Sequence, residues 1–161
     1  MNQKKLSYLG LFAAVAIIFG YVESLIPFIA GIPGMKLGLA NLAVLFILEK
    51  YTWKEAALVS IVRIIVIGFM FGNLFSILYS LAGAALSLAV MTFMKKKSGF
   101  SILGISDAGG VSHNIGQLII AGLITMTSGL IYYAPALLIS GVITGLLIGT
   151  LTSEVLKRIH F

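Results

Sequence analysis

An arginine, a histidine and two carboxamides stand inside runs that are otherwise apolar. Arg63 lies in Ile61-Val62-Arg63-Ile64-Ile65, and His113, Asn114 and Gln117 lie in Val111-Ser112-His113-Asn114-Ile115-Gly116-Gln117-Leu118. In hydrocarbon an unpaired polar group costs kilocalories, so such side chains face a partner helix or a filled cavity. Arg63 keeps its charge and presents a planar fork of donors, so it needs a carboxylate, a ring of carbonyls or a bound anion. Glu23 is the internal carboxylate at hand, and anion binding and internal pairing stand as equal alternatives. His113 can donate, accept or take a proton near neutral pH, while Asn114 and Gln117 offer paired donors and acceptors.

Ser106, Gly109, Gly110, His113, Asn114, Gln117 and Ala121 recur at helical spacing and form one small, polar stripe. Such a stripe either lines a ligand site or joins two helices, and three polar groups on one face favour the ligand. Lys36 and Asn41 would add a positive charge and an amide at the mouth of the same cavity, although Lys36 by itself reads as an interfacial anchor. The expected binding set is therefore Arg63, His113, Asn114, Gln117, Asn41, Lys36 and Glu23.

The elements that must hold these groups follow from composition. Of 161 residues, 60% are hydrophobic and 10% charged, and the mean hydropathy is +1.11. An ordinary soluble domain is only about half apolar, so lipid is the expected solvent. Six apolar segments, interrupted by glycine, proline and charge, predict an all-α integral membrane protein with a single transmembrane domain over residues 1–161. They run approximately over 6–26, 37–48, 56–71, 74–94, 105–127 and 130–156. The first follows Lys4 and Lys5 and reads as a retained span, because it is too long for a signal-peptide core. The second is short: twelve residues rise only ~18 Å against a hydrocarbon core of about 30 Å.

Charge sets the orientation. If all six segments cross and both termini are cytoplasmic, Lys4, Lys5, Lys50, Lys54, Lys95, Lys96, Lys97, Lys157 and Arg158 all fall inside. Lys36 then lies outside, and Arg63, nine residues beyond Lys54, sits ~14 Å into a plasma-membrane bilayer. Asn114 falls near the same depth. The net charge of +6 is thus a topology signal with anionic headgroups as contacts, and no aromatic-interleaved basic face points to nucleic acid. Asp107 and Glu154 belong at the cytoplasmic boundary.

Between the first two segments, Pro27 to Lys36 is irregular yet apolar, which suits a lid over an outward-facing cavity as well as a loop at the headgroup boundary. The last segment stacks Gly141, Gly145, Gly149 and Ser153 at intervals of four, allowing close backbone approach. The first carries Ala16, Gly20 and Ser24 on one face with Gly10 and Ala14 on another. These stripes serve contacts between helices of this chain or docking onto another membrane subunit.

Several chemistries are excluded. There is no G-x-x-x-x-G-K-[ST] loop for ATP. The five acids are Glu23, Glu49, Glu55, Asp107 and Glu154, no two within five residues of each other, so no cluster suits Mg²⁺-diphosphate. With no cysteine and one buried histidine expected, neither a metal site nor a cofactor is predicted, and no catalytic constellation is found.

Three stretches resemble a known family: Gly34-Met35-Lys36-Leu37-Gly38-Leu39-Ala40-Asn41-Leu42, Ser112-His113-Asn114-Ile115-Gly116-Gln117-Leu118, and Tyr132-Tyr133-Ala134-Pro135 before the glycine-striped helix. They look like the bacterial heptaprenyl diphosphate synthase component I, or Gx transporter, family across essentially the whole chain. That family is similar in fold to the substrate-binding S components of energy-coupling factor vitamin transporters. The resemblance implies a compact six-helix bundle that captures a small molecule for uptake, partnered by a coupling membrane subunit and ATPase subunits, and with Arg63 in the pocket the expected substrate is an anionic metabolite or a vitamin-like compound. In S components a small-residue pattern on the first helix meets the coupling subunit, and Gly10, Ala14, Ala16 and Gly20 resemble it loosely. The synthase label implies instead a non-catalytic accessory of isoprenoid or quinone biosynthesis, since the DDxxD motif of prenyl diphosphate synthases is missing.

Overall fold

A computed structural model describes residues 3–25, 38–97, 99–126 and 128–158. Among them lie six α-helices and no strand: α1 (Gln3–Leu25), α2 (Leu39–Lys50), α3 (Trp53–Phe71), α4 (Leu74–Lys96), α5 (Ile102–Thr125) and α6 (Ala134–Arg158), with a 3₁₀ turn at Ser128–Tyr133 before α6. Three stretches are long and apolar enough to cross a membrane, Gln3–Leu25, Leu74–Lys96 and Gly129–Arg158. The other helices fall short for visible reasons. α2 has 12 residues, α3 carries Lys54, Glu55 and Arg63, and α5 carries the polar stripe.

Helix starts are set by local capping. Thr52 and Glu55 form a capping box that begins α3 at Trp53, before the apolar segment itself. The Asn73 side chain accepts from Ser76 N at 2.8 Å to open α4, and Ser101 Oγ accepts from Gly104 N at 3.2 Å to open α5. The last apolar segment starts in the 3₁₀ turn, and α6 proper begins at Ala134, with Pro135 in a first turn where its missing N–H costs nothing.

α2 is enclosed. Ala43 through Leu48 are all buried, and Leu9, Ala16, Ala56, Val59, Met91, Ile105 and Ile148 from the other five helices pack into the same core. Phe46 is fully buried and stacks on Phe12 of α1 with ring centroids 4.5 Å apart. Enclosure suits a helix this short, because one wrapped in protein need not match a hydrocarbon thickness. On the outside, Leu11, Ile18, Phe69, Leu74, Leu123 and Ile143 are among many large apolar side chains left exposed. So much exposed apolar surface suits lipid rather than water.

α5 lies between α4 and α6, its two most extensive neighbours. A β-carbon placed on Gly110 would stand 2.4 Å from Gly141 O, and one on Gly145 would stand 2.6 Å from Asp107 Cα. Both obstacles are backbone, so the helices could not meet this closely with any larger residue. The glycine stripe of α6 is thus an internal contact with α5.

Candidate functional site

Arg63 projects from α3 with its Nε buried and without a hydrogen-bond partner. Glu23 of α1 is near enough to act on it electrostatically, but the two form no ion pair. Glu23 instead accepts a hydrogen bond from Leu39 N at 3.0 Å. That N–H belongs to the first turn of α2, whose N-cap, Gly38, sits in the left-handed region at φ 72° and supplies no side-chain cap. A carboxylate there meets both the orphan N–H and the positive end of the helix dipole. The opposite end of α2 is treated symmetrically. Lys95 of α4 donates to the carbonyl oxygens of Leu48 and Glu49, the latter at 2.9 Å, and its Nζ lies 3.7 Å from the Glu49 carboxylate.

The stripe on α5 divides between two neighbours. Asn114 Nδ2 donates to Leu137 O at 2.6 Å and to Ser140 Oγ at 3.3 Å, both on α6. Ser106 Oγ donates to Gly145 O at 2.7 Å. Gln117, only 3% exposed, and His113 pack across Gly83 of α4: a β-carbon there would stand 2.8 Å from Gln117 Cγ and 3.0 Å from His113 Cε1. The amide nitrogen of Asn114 is thereby engaged in joining helices. Asp107, expected at the cytoplasmic boundary, has its Oδ1 buried without a hydrogen-bond partner, against Gly145 of α6.

A cavity of about 30 Å³ opens between the N-terminal end of α2 and the flanks of α4, α5 and α6. Of the expected binding residues that are described, Asn41 alone borders it. Arg63, His113, Asn114 and Gln117 do not, so the structure leaves the expected set dispersed over three places: Arg63 near Glu23, the α5 stripe between α4 and α6, and Asn41 at the cavity. Lys36 and the proposed lid from Pro27 to Lys36 lie outside the described residues. Sequence reasoning passed over Ser87, Met91 and Thr144, which line the cavity with Ser106. A single hydroxyl in an apolar helix carries little signal, because it can always return its proton to a carbonyl one turn earlier.

The four small residues of α1 also separate. Ala16 is buried, and Gly20 meets Ile67 of α3, a β-carbon there lying 3.0 Å from Ile67 Cγ1. Gly10 and Ala14 are exposed, and nothing stands within 4 Å of a β-carbon on Gly10. At the same end of the molecule Lys5 Nζ lies 2.5 Å from Glu55 Oε1. The Lys5 ammonium first, and the Thr52 hydroxyl next, hold the Glu55 carboxyl down at about 2 against an ordinary 4.5. Among the described residues no group of three or more His, Cys, Asp or Glu side chains is placed to hold a metal ion.

Compared with known proteins, the chain matches the family described as heptaprenyl diphosphate synthase component I over residues 12–155. No curated protein and no solved structure matches it.

Proposed function

The chain belongs to the heptaprenyl diphosphate synthase component I family, and from that premise we propose that it is a non-catalytic, membrane-embedded subunit that binds a small anionic molecule. Arg63 carries this reading. An arginine cannot shed its proton to escape burial, and the Nε of this one has no hydrogen-bond partner. Glu23, its nearest opposite charge, is engaged with the N-terminus of α2. A bound carboxylate or phosphate would supply the fork of acceptors that Arg63 lacks.

In this reading the chain is one domain of six spans in the plasma membrane, with both termini cytoplasmic. The lysine clusters at the ends of α2, α4 and α6 and the start of α1 support that orientation. α2 crosses as a protein-wrapped half-length helix. Lys36 and Glu23 stand with Arg63 at this site, and the segment from Pro27 to Lys36 closes it, while His113 and Gln117, packed on α4, and Asn41, at the separate cavity, lie apart from it.

Two roles share this site. As an S-component-like uptake subunit, the chain would pass its ligand inward when a coupling subunit and ATPase subunits engage α1, with the exposed Gly10 and Ala14 as the contact. As a synthase accessory, favoured by the family description, it would hold a prenyl diphosphate or its precursor for a second component that performs the chemistry.

Native mass spectrometry of the purified chain tests the shared claim. The unmodified protein is expected to retain a small anion that Arg63→Ala loses and Arg63→Lys partly keeps. A bare spectrum, unchanged by Arg63→Ala, refutes it. Affinity purification from the membrane separates the roles: ATPase subunits on α1 indicate uptake, and a soluble prenyltransferase indicates the synthase.

A further inference from the structure

The cavity between α2, α4, α5 and α6 is distinct from Arg63 and carries no charged side chain among the described residues of its wall. Its polar lining is Asn41, Ser87, Ser106 and Thr144. Two of these hydroxyls have already committed their protons. Ser106 donates to Gly145 O at 2.7 Å and Thr144 to Gly141 O at 3.3 Å, so toward the cavity they can only accept. The other two groups are uncommitted: neither the Asn41 amide nor the Ser87 hydroxyl has a hydrogen-bond partner among the described residues, although Ser87 is only 5% exposed. Ser87 is buried, and a buried hydroxyl seldom goes unpaired.

These constraints define a guest. It can donate to Ser106 and Thr144, and can both give to and take from Asn41 and Ser87. With no charged side chain among the described wall residues and the N-terminus of α2 already met by Glu23, neither an anion nor a cation would find its charge balanced there, and a neutral group is favoured. A volume of about 30 Å³ admits about two water-sized oxygens. We infer that this cavity is a binding site for neutral hydroxyl oxygens, bridging α2 to the three later helices through Asn41 and Ser87. The oxygen belongs either to ordered water or to the hydroxyl end of a bound molecule, and the chemistry of the wall is the same for both.

A high-resolution structure of the full chain in lipid nanodiscs tests the site directly. Isolated spherical density within hydrogen-bonding distance of Asn41 and Ser87 identifies water, whereas continuous density running out of the cavity identifies a hydroxyl-bearing ligand. An empty cavity overturns the inference. Thermal unfolding of Ser87→Val gives a second readout whose sign is decisive. If a hydrogen-bonded guest is displaced, Tm falls by roughly 2–4 °C below wild type. If the cavity is dry, the added carbon atoms fill a void and Tm stays level or rises, which also overturns it. Neither measurement depends on an anion at Arg63, so the two sites stand or fall separately.

Discussion

α2 and α5 are both hemmed in by other helices, yet they are held by opposite means. α2 buries large apolar side chains, Val44, Leu45, Phe46, Ile47 and Leu48, in an unbroken run, and its two ends are closed by charges borrowed from α1 and α4. α5 buries Ser106, Gly109, Ser112, Gly116, Gln117 and Ala121 with only Ile105 as a large apolar residue. It relies on backbone proximity and on hydrogen bonds from Ser106 and Asn114. Between helices in lipid there is little hydrophobic driving force, so a small-residue face gains by close packing and hydrogen bonding. A short helix wrapped in protein instead has large side chains to bury and two polar ends to satisfy. The half-length α2 is tolerated because Glu23 and Lys95 meet those ends inside the molecule.

The sharpest way to break this contrast is to empty the core around α2. Phe46→Ala is expected to cost about 3–5 kcal/mol, read as a lowered midpoint in denaturant unfolding. The corresponding insult to α5 is to add volume: Gly110→Ala drives a methyl into Gly141 O and is expected to cost about 1–3 kcal/mol. If Gly110→Ala is silent, the tight α5–α6 contact is not what holds α5. Removing a charge from an end of α2 should cost less. Lys95→Met or Glu23→Gln is expected to lose about 1–2 kcal/mol, since a dipole contact in a partly buried place is worth that much. Equal losses at the two ends would confirm the symmetrical capping.

A smaller effect is expected from the Lys5–Glu55 pair at the rim. Because the folded Glu55 carboxyl titrates at about 2 and an ordinary one at 4.5, the pair's contribution is complete above about 4.5. It drains away as pH falls toward about 2. A plot of Tm against pH should therefore drop more steeply in acid for wild type than for Glu55→Gln, and parallel curves would show that the pair contributes nothing. The smallest effect is at Gly10, where a β-carbon meets open space. Gly10→Ala adds helix propensity without a clash and should raise stability by about 0.5–1 kcal/mol, and a bulkier Gly10→Leu should weaken any docking onto α1 without lowering Tm.

Residues near one another in the chain were readable as such. The six apolar segments became six helices within a few residues at each end, because periodicity and caps such as Thr52, Asn73 and Ser101 are local. The four-residue spacing of Gly141, Gly145 and Gly149 announced a close helix contact, since small residues on one face serve little else in an apolar span. Arg63 stood out because a cation among isoleucines needs an opposite charge or a ring of acceptors, whether from the chain or from a ligand.

Contacts across the fold were not readable. Lys95, one of three consecutive lysines, looked like a topology signal, yet it reaches the end of α2, 47 residues earlier in the chain. Glu23 looked like a partner for Arg63 and caps α2 instead. The stripe on α5 announced that something polar lay opposite, but the carbonyl of Leu137 and the hydroxyl of Ser140 were indistinguishable from a ligand until α6 was in place. Ser87 and Thr144 gained meaning only when α4 and α6 closed a cavity with Asn41. By itself the sequence determined the solvent, the helices and the anomalies, because side-chain hydration and backbone caps act within a few residues. Which anomaly meets which was left to the tertiary structure, because a hydrogen bond depends on where two helices place their atoms.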